Sequence, residues 1–452
     1  MRDFTKGNIS KHLIAFSVPM LIGSVFQQLY SMVDAIVVGN YVGSGALAAV
    51  GTSAPVLGFL LGVLMGLTTG ASVLVSQYFG ANEPEKLSRT VSTSIIFMVI
   101  LIFVISLIGF IGTPTFLRLL SVPDDIFADS VIYLQISFAG LIFLMFYNIY
   151  TSFLRALGDA RNPLYILILS TVLNVALDIL FVAGFNWGVA GAAYATIISQ
   201  AMAAVVCLIY AHKKVPALKI SKLIFDRELF PQILKYSIPS AIQLSLTSLA
   251  GLTIQRLVNS FGSIAIAGYT AAIRIDGFAL MPLSSISMAT STLVAQNMGA
   301  GREDRAKKTL HDSLLLMLGV GITISALAWI FGRDLIAMFI SGTPEEINSI
   351  LAVGTKYLSI IVSFYSLFAI FFAFNGFFRG VGDAVIVMIL TIFSLSLRAV
   401  CAHIMVDVFS MGPEAVAWSI PIGWGLCSLI AWIYYKRRMW AGKIVIKVKE
   451  DS

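Results

Sequence analysis

Twelve stretches of this chain are each long and apolar enough to cross about 30 Å of hydrocarbon as a helix. Their approximate limits are 13–38, 46–76, 92–115, 130–154, 163–184, 188–211, 233–258, 265–297, 310–331, 353–377, 384–406 and 413–435. Over 452 residues the chain is 58% hydrophobic and 12% charged. A water-soluble fold of this length could not keep that much apolar surface dry. The expected fold class is therefore an all-α polytopic membrane protein. The second and eighth stretches are long and rich in Gly or Ser, which predicts tilt or bending.

Lys and Arg set the orientation of such a chain. With the connections assigned alternately to two sides, 24 of the 30 basic residues fall on the side of the N-terminus. Three (Arg118, Arg333, Lys356) fall on the other side, and three (Arg256, Arg274, Arg398) lie inside spans. One miscounted span in the middle would destroy this asymmetry. Both termini are expected in the cytoplasm, and the net charge of +7 is read as an orientation signal rather than a nucleic-acid footprint. The first residues, MRDFTKGNISKHL, carry no signal-peptide cleavage pattern. Cys207, Cys401 and Cys427 sit in apolar runs without metal or disulfide spacing and read as small packing residues.

The longest polar connection, His212 to Lys235, separates two sets of six spans. The expected organisation is an N-terminal lobe over 1–211, a cytoplasmic linker over 212–235 and a C-terminal lobe over 236–452. The halves repeat. LVSQYFGANEPEKLSRTV (Leu74 to Val91) matches LVAQNMGAGREDRAKKTL (Leu293 to Leu310), and SFLRALGDA (Ser152 to Ala160) matches GFFRGVGDA (Gly376 to Ala384). Pro19 opens the first half as Pro239 opens the second. Six spans per half is an even number, so both halves enter the membrane from the same side, with binding expected near the repeat interface.

The repeat breaks at its carboxylates. Asp34, in LYSMVDAIVVG, and Asp178, four residues after Asn174 in TVLNVALDILFVAG, are surrounded by apolar residues. The spacing of four stacks Asn174 and Asp178 on one helix face. Their second-half counterparts are Thr253 for Asp34, Arg398 for Asn174 and Ala402 for Asp178. A buried Asp is either a structural group tied to a neighbour or an ion and proton site, and within a membrane span the functional reading is the default. Thr196, in GVAGAAYATIISQ, is either a further oxygen ligand or a hydroxyl bonded back to its own helix. Carboxylate, amide and hydroxyl oxygens suit a hard cation. Two carboxylates close together would also hold one proton between them.

In the second half, Arg274 and Asp276 lie two apart on one span and cannot face each other on a regular helix. Each needs a partner elsewhere, or lines a cavity wall. Arg398 and His403 share the eleventh span and are open to either reading. RALGDARNP and RGVGDA read as tight turns with an Arg anchor and a helix-end Asp. No Walker A, HExxH, GxSxG or zinc spacing occurs, so neither ATP-driven nor covalent enzyme chemistry has visible residues. The 16 Met and 31 Phe residues would suit varied apolar cargo wherever they face a cavity.

Taken together, the twelve spans, the LVSQYFGA and LVAQNMGAG repeats, the RALGDARNP turn and NVALDILFVAGFNWGVAGAAYAT resemble the multidrug and toxic compound extrusion (MATE) transporters over essentially the whole chain. The resemblance implies two like-oriented six-helix lobes in a V, working as a monomer in the plasma membrane. It also implies export of cationic or amphipathic small molecules in exchange for H⁺ or Na⁺, with no other cofactor and no nucleic acid. By the resemblance, Asp34 matches the first-helix aspartate, Asn174 and Asp178 the fifth-helix pair, Thr196 the sixth-helix threonine and Tyr133 the fourth-helix tyrosine. Asp34, Asn174, Asp178 and Thr196 would hold Na⁺ if the carrier is sodium-coupled. Arg274, Asp276 and Arg398 are weaker candidates for the substrate cavity. The Na⁺-coupled bacterial branch keeps a glutamate on the seventh helix where this chain has Thr247, which places coupling in the first half. The competing readings are a lipid-linked sugar flippase of the same wider superfamily and a non-transporting receptor or scaffold.

Overall fold

In the computed structural model the described residues are 2–219 and 223–443. The side chains of 249, 250, 252 and 253 lie outside that description, and with them Thr253, the counterpart of Asp34; so do Lys222, Lys447 and Lys449. Among the described residues thirteen α-helices succeed one another: α1 (Ile9–Tyr41), α2 (Ser44–Gly80), α3 (Pro84–Leu119), α4 (Asp124–Ala156), α5 (Arg161–Asp178), α6 (Gly188–Lys214), α7 (Leu229–Asn259), α8 (Ser263–Gly299), α9 (Glu303–Ala337), α10 (Pro344–Val362), α11 (Tyr365–Val381), α12 (Ala384–Asp407) and α13 (Glu414–Lys436). Ten helices among the described residues are individually long and apolar enough to span a membrane, and α10 with α11 passes that test as a pair. With α7, whose 31 residues carry Pro239, these account for the twelve spans in the expected order.

The tenth span is the one that differs. It is two helices bent by 51°, with neither Pro nor Gly at the break. At the break a neighbour intervenes: the Ser325 hydroxyl on α9 donates to the Val362 carbonyl at 2.5 Å. Ser363 turns its own hydroxyl back to Ser359 O at 2.7 Å. A side chain inserted into the i→i−4 ladder is a recognised origin of a kink.

Both RxxGD segments form the expected turns. Gly158 and Gly382 sit at φ +81° and +99°, a conformation open to a residue without Cβ. Asp159 N–H donates to Leu154 O at 2.9 Å and Asp383 N–H to Phe378 O at 2.8 Å, closing the preceding helices in the same way. The aspartates then cap the starts of α5 and α12. Asp159 accepts from Asn162 N–H, and Asp383 from Ile386 N–H. Each is clamped by a tyrosine 51 residues later: Tyr210 on Asp159 at 2.8 Å, Tyr434 on Asp383 at 2.6 Å. The two halves therefore repeat down to individual hydrogen bonds.

Two compact units are present. The first is Met1–Asp3 with Val18–Ala241, the second Phe4–Ser17 with Ile242–Ser452. Within the first unit, the start of α7 is tied to α2 by Ser237 Oγ donating to Leu67 O and by Tyr78 donating to Gln232. Within the second, Phe4 N–H donates to Gln296 Oε1 at 3.1 Å, and Ser10 to Asp312 at 2.8 Å.

Candidate functional site

In the first unit, α1, α4, α5 and α6 converge on the expected carboxylates. Asn174 and Asp178 are fully buried, Tyr133 is 8% exposed, and Asp34 and Thr196 are half-buried. Asp34 and Asp178 are close enough for their charges to interact, and both interact electrostatically with Tyr133 and Tyr30. Around them lie Val37, Val38, Val182, Val189, Ala192 and Ala193, an apolar surround contributed by α1, α6 and the end of span five.

The polar atoms of this group are poorly matched to one another. Asp34 Oδ1, both oxygens of Asp178 and both side-chain atoms of Asn174 are buried without a hydrogen-bond partner. A buried unpaired polar group is costly, and a carboxylate more so. Buried carboxylate and amide oxygens left without hydrogen-bond partners fit a site that receives a proton or a hard cation. Among the described residues no trio of His, Cys, Asp or Glu is placed to hold a metal. A bound cation here would therefore rest on two carboxylates and neutral oxygens.

Local structure sharpens the site. After Asp178 the helix widens into a π segment, Ile179–Gly184, a form frequent at functional positions. The chain reaches α6 through Phe185 N–H to Leu180 O at 2.9 Å and Trp187 N–H to Phe181 O at 3.0 Å. Thr196 is not bonded back to its own helix. Its hydroxyl meets Tyr30 Oη at 2.9 Å. Tyr30 was not among the sequence candidates, yet its position four residues before Asp34 was a usable signal, since that spacing places both on one helix face.

In the second unit, the suspected charges separate. Asp276 accepts from Tyr365 Oη at 2.6 Å. Arg398 interacts electrostatically with Asp276 and Tyr269, although its Nε is buried without a partner. Arg274 instead places its guanidinium 5.7 Å from the centre of the Phe339 ring. His403 Nδ1 lies 2.9 Å from Ala399 O on its own helix. Thr247 donates its hydroxyl to Gln243 O at 2.8 Å. Tyr269 and Tyr357, whose rings meet edge to face at 5.0 Å, and Tyr365 are the members of this group that sequence reading missed.

Comparison with known proteins covers nearly the whole chain. The MatE family model matches residues 19–180 and 239–404, one match per half. The probable multidrug resistance protein YpnP of Bacillus subtilis (strain 168) is 31% identical over 448 residues, covering 97% of each chain. The multidrug export protein MepA of Staphylococcus aureus (strain N315) is 25% identical, covering 95% of this chain and 94% of its own. In fold, the chain superposes with a TM-score of 0.91 on a MATE crystal structure in complex with MaL6, at 24% identity over 97% of this chain and 98% of the other. A MOP superfamily transporter from Pyrococcus furiosus Vc1 (DSM3638) gives a TM-score of 0.90 at 24% identity, over 97% and 98%.

Proposed function

Because the chain belongs to the MATE family of multidrug efflux transporters, which are carriers and not enzymes, we propose that it exports cationic or amphipathic small molecules in exchange for H⁺ or Na⁺, with Asp34 and Asp178 carrying the coupling. The observation that supports this reading is the set of buried, unpartnered oxygens on Asp34, Asn174 and Asp178. Asn174 and Thr196 supply neutral oxygens, and Tyr133 and Tyr30 supply hydroxyls beside them. When a proton or Na⁺ occupies the group, the carboxylates are neutralised. The first helix then shifts to narrow the pocket and bound cargo is disfavoured. Release of the ion toward the cytoplasm restores the charge and the pocket. Ion and cargo act on one equilibrium, so each must have different affinities for its two states. A coupling free energy of about 1–3 kcal/mol changes cargo affinity roughly 5- to 150-fold.

The test is a titration of a fluorescent cationic dye on purified protein at several pH and Na⁺ values. Acidification or added Na⁺ is expected to weaken dye binding, and Asp34→Asn is expected to abolish that response by fixing one carboxylate position neutral. An unchanged response in Asp34→Asn would overturn the assignment even if transport were lost. In vesicles, Asp178→Asn is expected to eliminate ion-driven efflux. Thr247→Ala, which removes a hydroxyl already bonded to its own helix, is expected to leave efflux nearly intact.

A further inference from the structure

The two halves differ at a second place that has nothing to do with carboxylates. SVPMLIG (17–23) in α1 matches SIPSAIQ (237–243) in α7, so Gly23 stands where the second half has Gln243. Arg155 at the end of α4 stands where the second half has Arg379 at the end of α11. In the second unit these two positions are bonded: Arg379 Nη2 donates to Gln243 Oε1 at 3.1 Å. In the first unit the glutamine is missing, and beside Arg155 there is a cavity of about 60 Å³ lined by Gly23, Ser24, Gln27, Tyr147 and Thr151. A side chain at Gly23 would not be refused, for a Cβ there meets only Leu167 at 3.6 Å and Leu164 at 3.8 Å.

The chemistry of the cavity is one-sided. Arg155 is half-buried and its guanidinium is always charged. Among the described residues no carboxylate oxygen lies within 4.0 Å of it, and no acidic residue lines the cavity. The nearest aspartate in sequence, Asp159, is already held by Asn162 and Tyr210 at 2.8 Å each. Ser24 and Thr151 spend their hydroxyl protons on Met20 O and Asn148 O. The Tyr147 hydroxyl makes no such bond among the described residues, and the Gln27 side chain is exposed, so Arg155 and Tyr147 are the donors left to the space.

We propose that this cavity binds a small free anion, of halide or formate size, on Arg155. The anion takes the place that the Gln243 oxygen takes on Arg379. The cavity is several times the ~15 Å³ that one water requires, which gives room for a single small anion. A charge-assisted hydrogen bond to a guanidinium is among the stronger ones available.

The experiment is thermal unfolding of the purified full-length protein at fixed Na⁺ and ionic strength, with chloride or formate progressively replacing gluconate. The wild type is expected to gain a saturable rise in unfolding midpoint from chloride and from formate. Gly23→Gln supplies the missing oxygen and is expected to raise the midpoint in gluconate while weakening the chloride response about 10- to 100-fold. Arg155→Gln is expected to lose the chloride response as well; should it fail to fold, Gly23→Gln decides alone. The proposal is overturned if the wild type unfolds identically in chloride and gluconate, as it would with only water in the cavity. It is also overturned if Gly23→Gln responds to chloride as the wild type does.

Discussion

Tyr30 shows what a single hydroxyl contributes to the carboxylate group. It links α1 to α6 through the 2.9 Å contact with Thr196, and it stands one turn from Asp34. Tyr30→Phe removes that link while keeping the ring. Loss of a neutral hydrogen bond of this kind costs about 0.5–1.5 kcal/mol, so a small fall in unfolding temperature is expected, together with a changed ion response of dye binding. A stability loss with the ion response untouched would reduce Tyr30 to a packing residue. The carboxylates themselves stand out in the sequence because an Asp in an apolar run is either tied to a neighbour or an ion site. Tyr30 does not, because tyrosine in a span also reads as packing or interface anchoring, and only its partner on α6 distinguishes the cases.

Helices carry the next level of information, and here periodicity and punctuation were sufficient for most of the chain. The RxxGD turns could be read directly, since glycine followed by a capping aspartate has a local meaning that does not depend on neighbours. The break between α10 and α11 could not, because Ser325 belongs to a different helix. Ser325→Ala leaves the Val362 carbonyl without its side-chain donor. The expected cost is about 1–3 kcal/mol, seen as a lower unfolding midpoint, with faster hydrogen exchange around 362–365. An unchanged midpoint would mean that the bend is held by packing alone. The junction before α7 offers a test in pH. Burial opposes ionisation of Asp226. The N–H groups of Leu229 and Glu228 and the Arg89 guanidinium outweigh it and hold the carboxyl below its ordinary value of 3.8. A depressed folded pKa contributes stability that is present above the unfolded value and is lost as pH falls through the folded one. Protection of the Leu229 and Glu228 amides should therefore persist down to about pH 4 and fade below it. In Asp226→Ala, which removes the accepting oxygen, it should be weak at every pH. Equal protection in both proteins would show that the aspartate does not hold this junction.

At the scale of the whole molecule, orientation is carried by charge distributed over many loops. The 24 basic residues on one set of connections act as independent votes, which is why sequence alone predicts the direction of every span. The opposite set has its own marker in the turn between span five and α6. There Phe181 and Trp187 stack at 4.9 Å, with Phe185 5.5 Å from Trp187, and Phe185 and Trp187 are about half exposed. Exposed aromatics at a span end are the pattern of a lipid–water interface. The turn residue Asn186, at φ +54°, should accordingly lie just outside. In a cysteine-depleted background, a cysteine at Asn186 is expected to react with an impermeant thiol reagent in intact cells. One at Lys219 is expected to react only after the cells are opened, and a reporter fused after Lys449 should be cytoplasmic. Because the spans alternate, these three readings are not independent. Labelling of the Lys219 position from outside would require an odd number of crossings before it or an inverted orientation, and would defeat the expected topology together with the assignment of the ion-release side on which the exchange cycle depends.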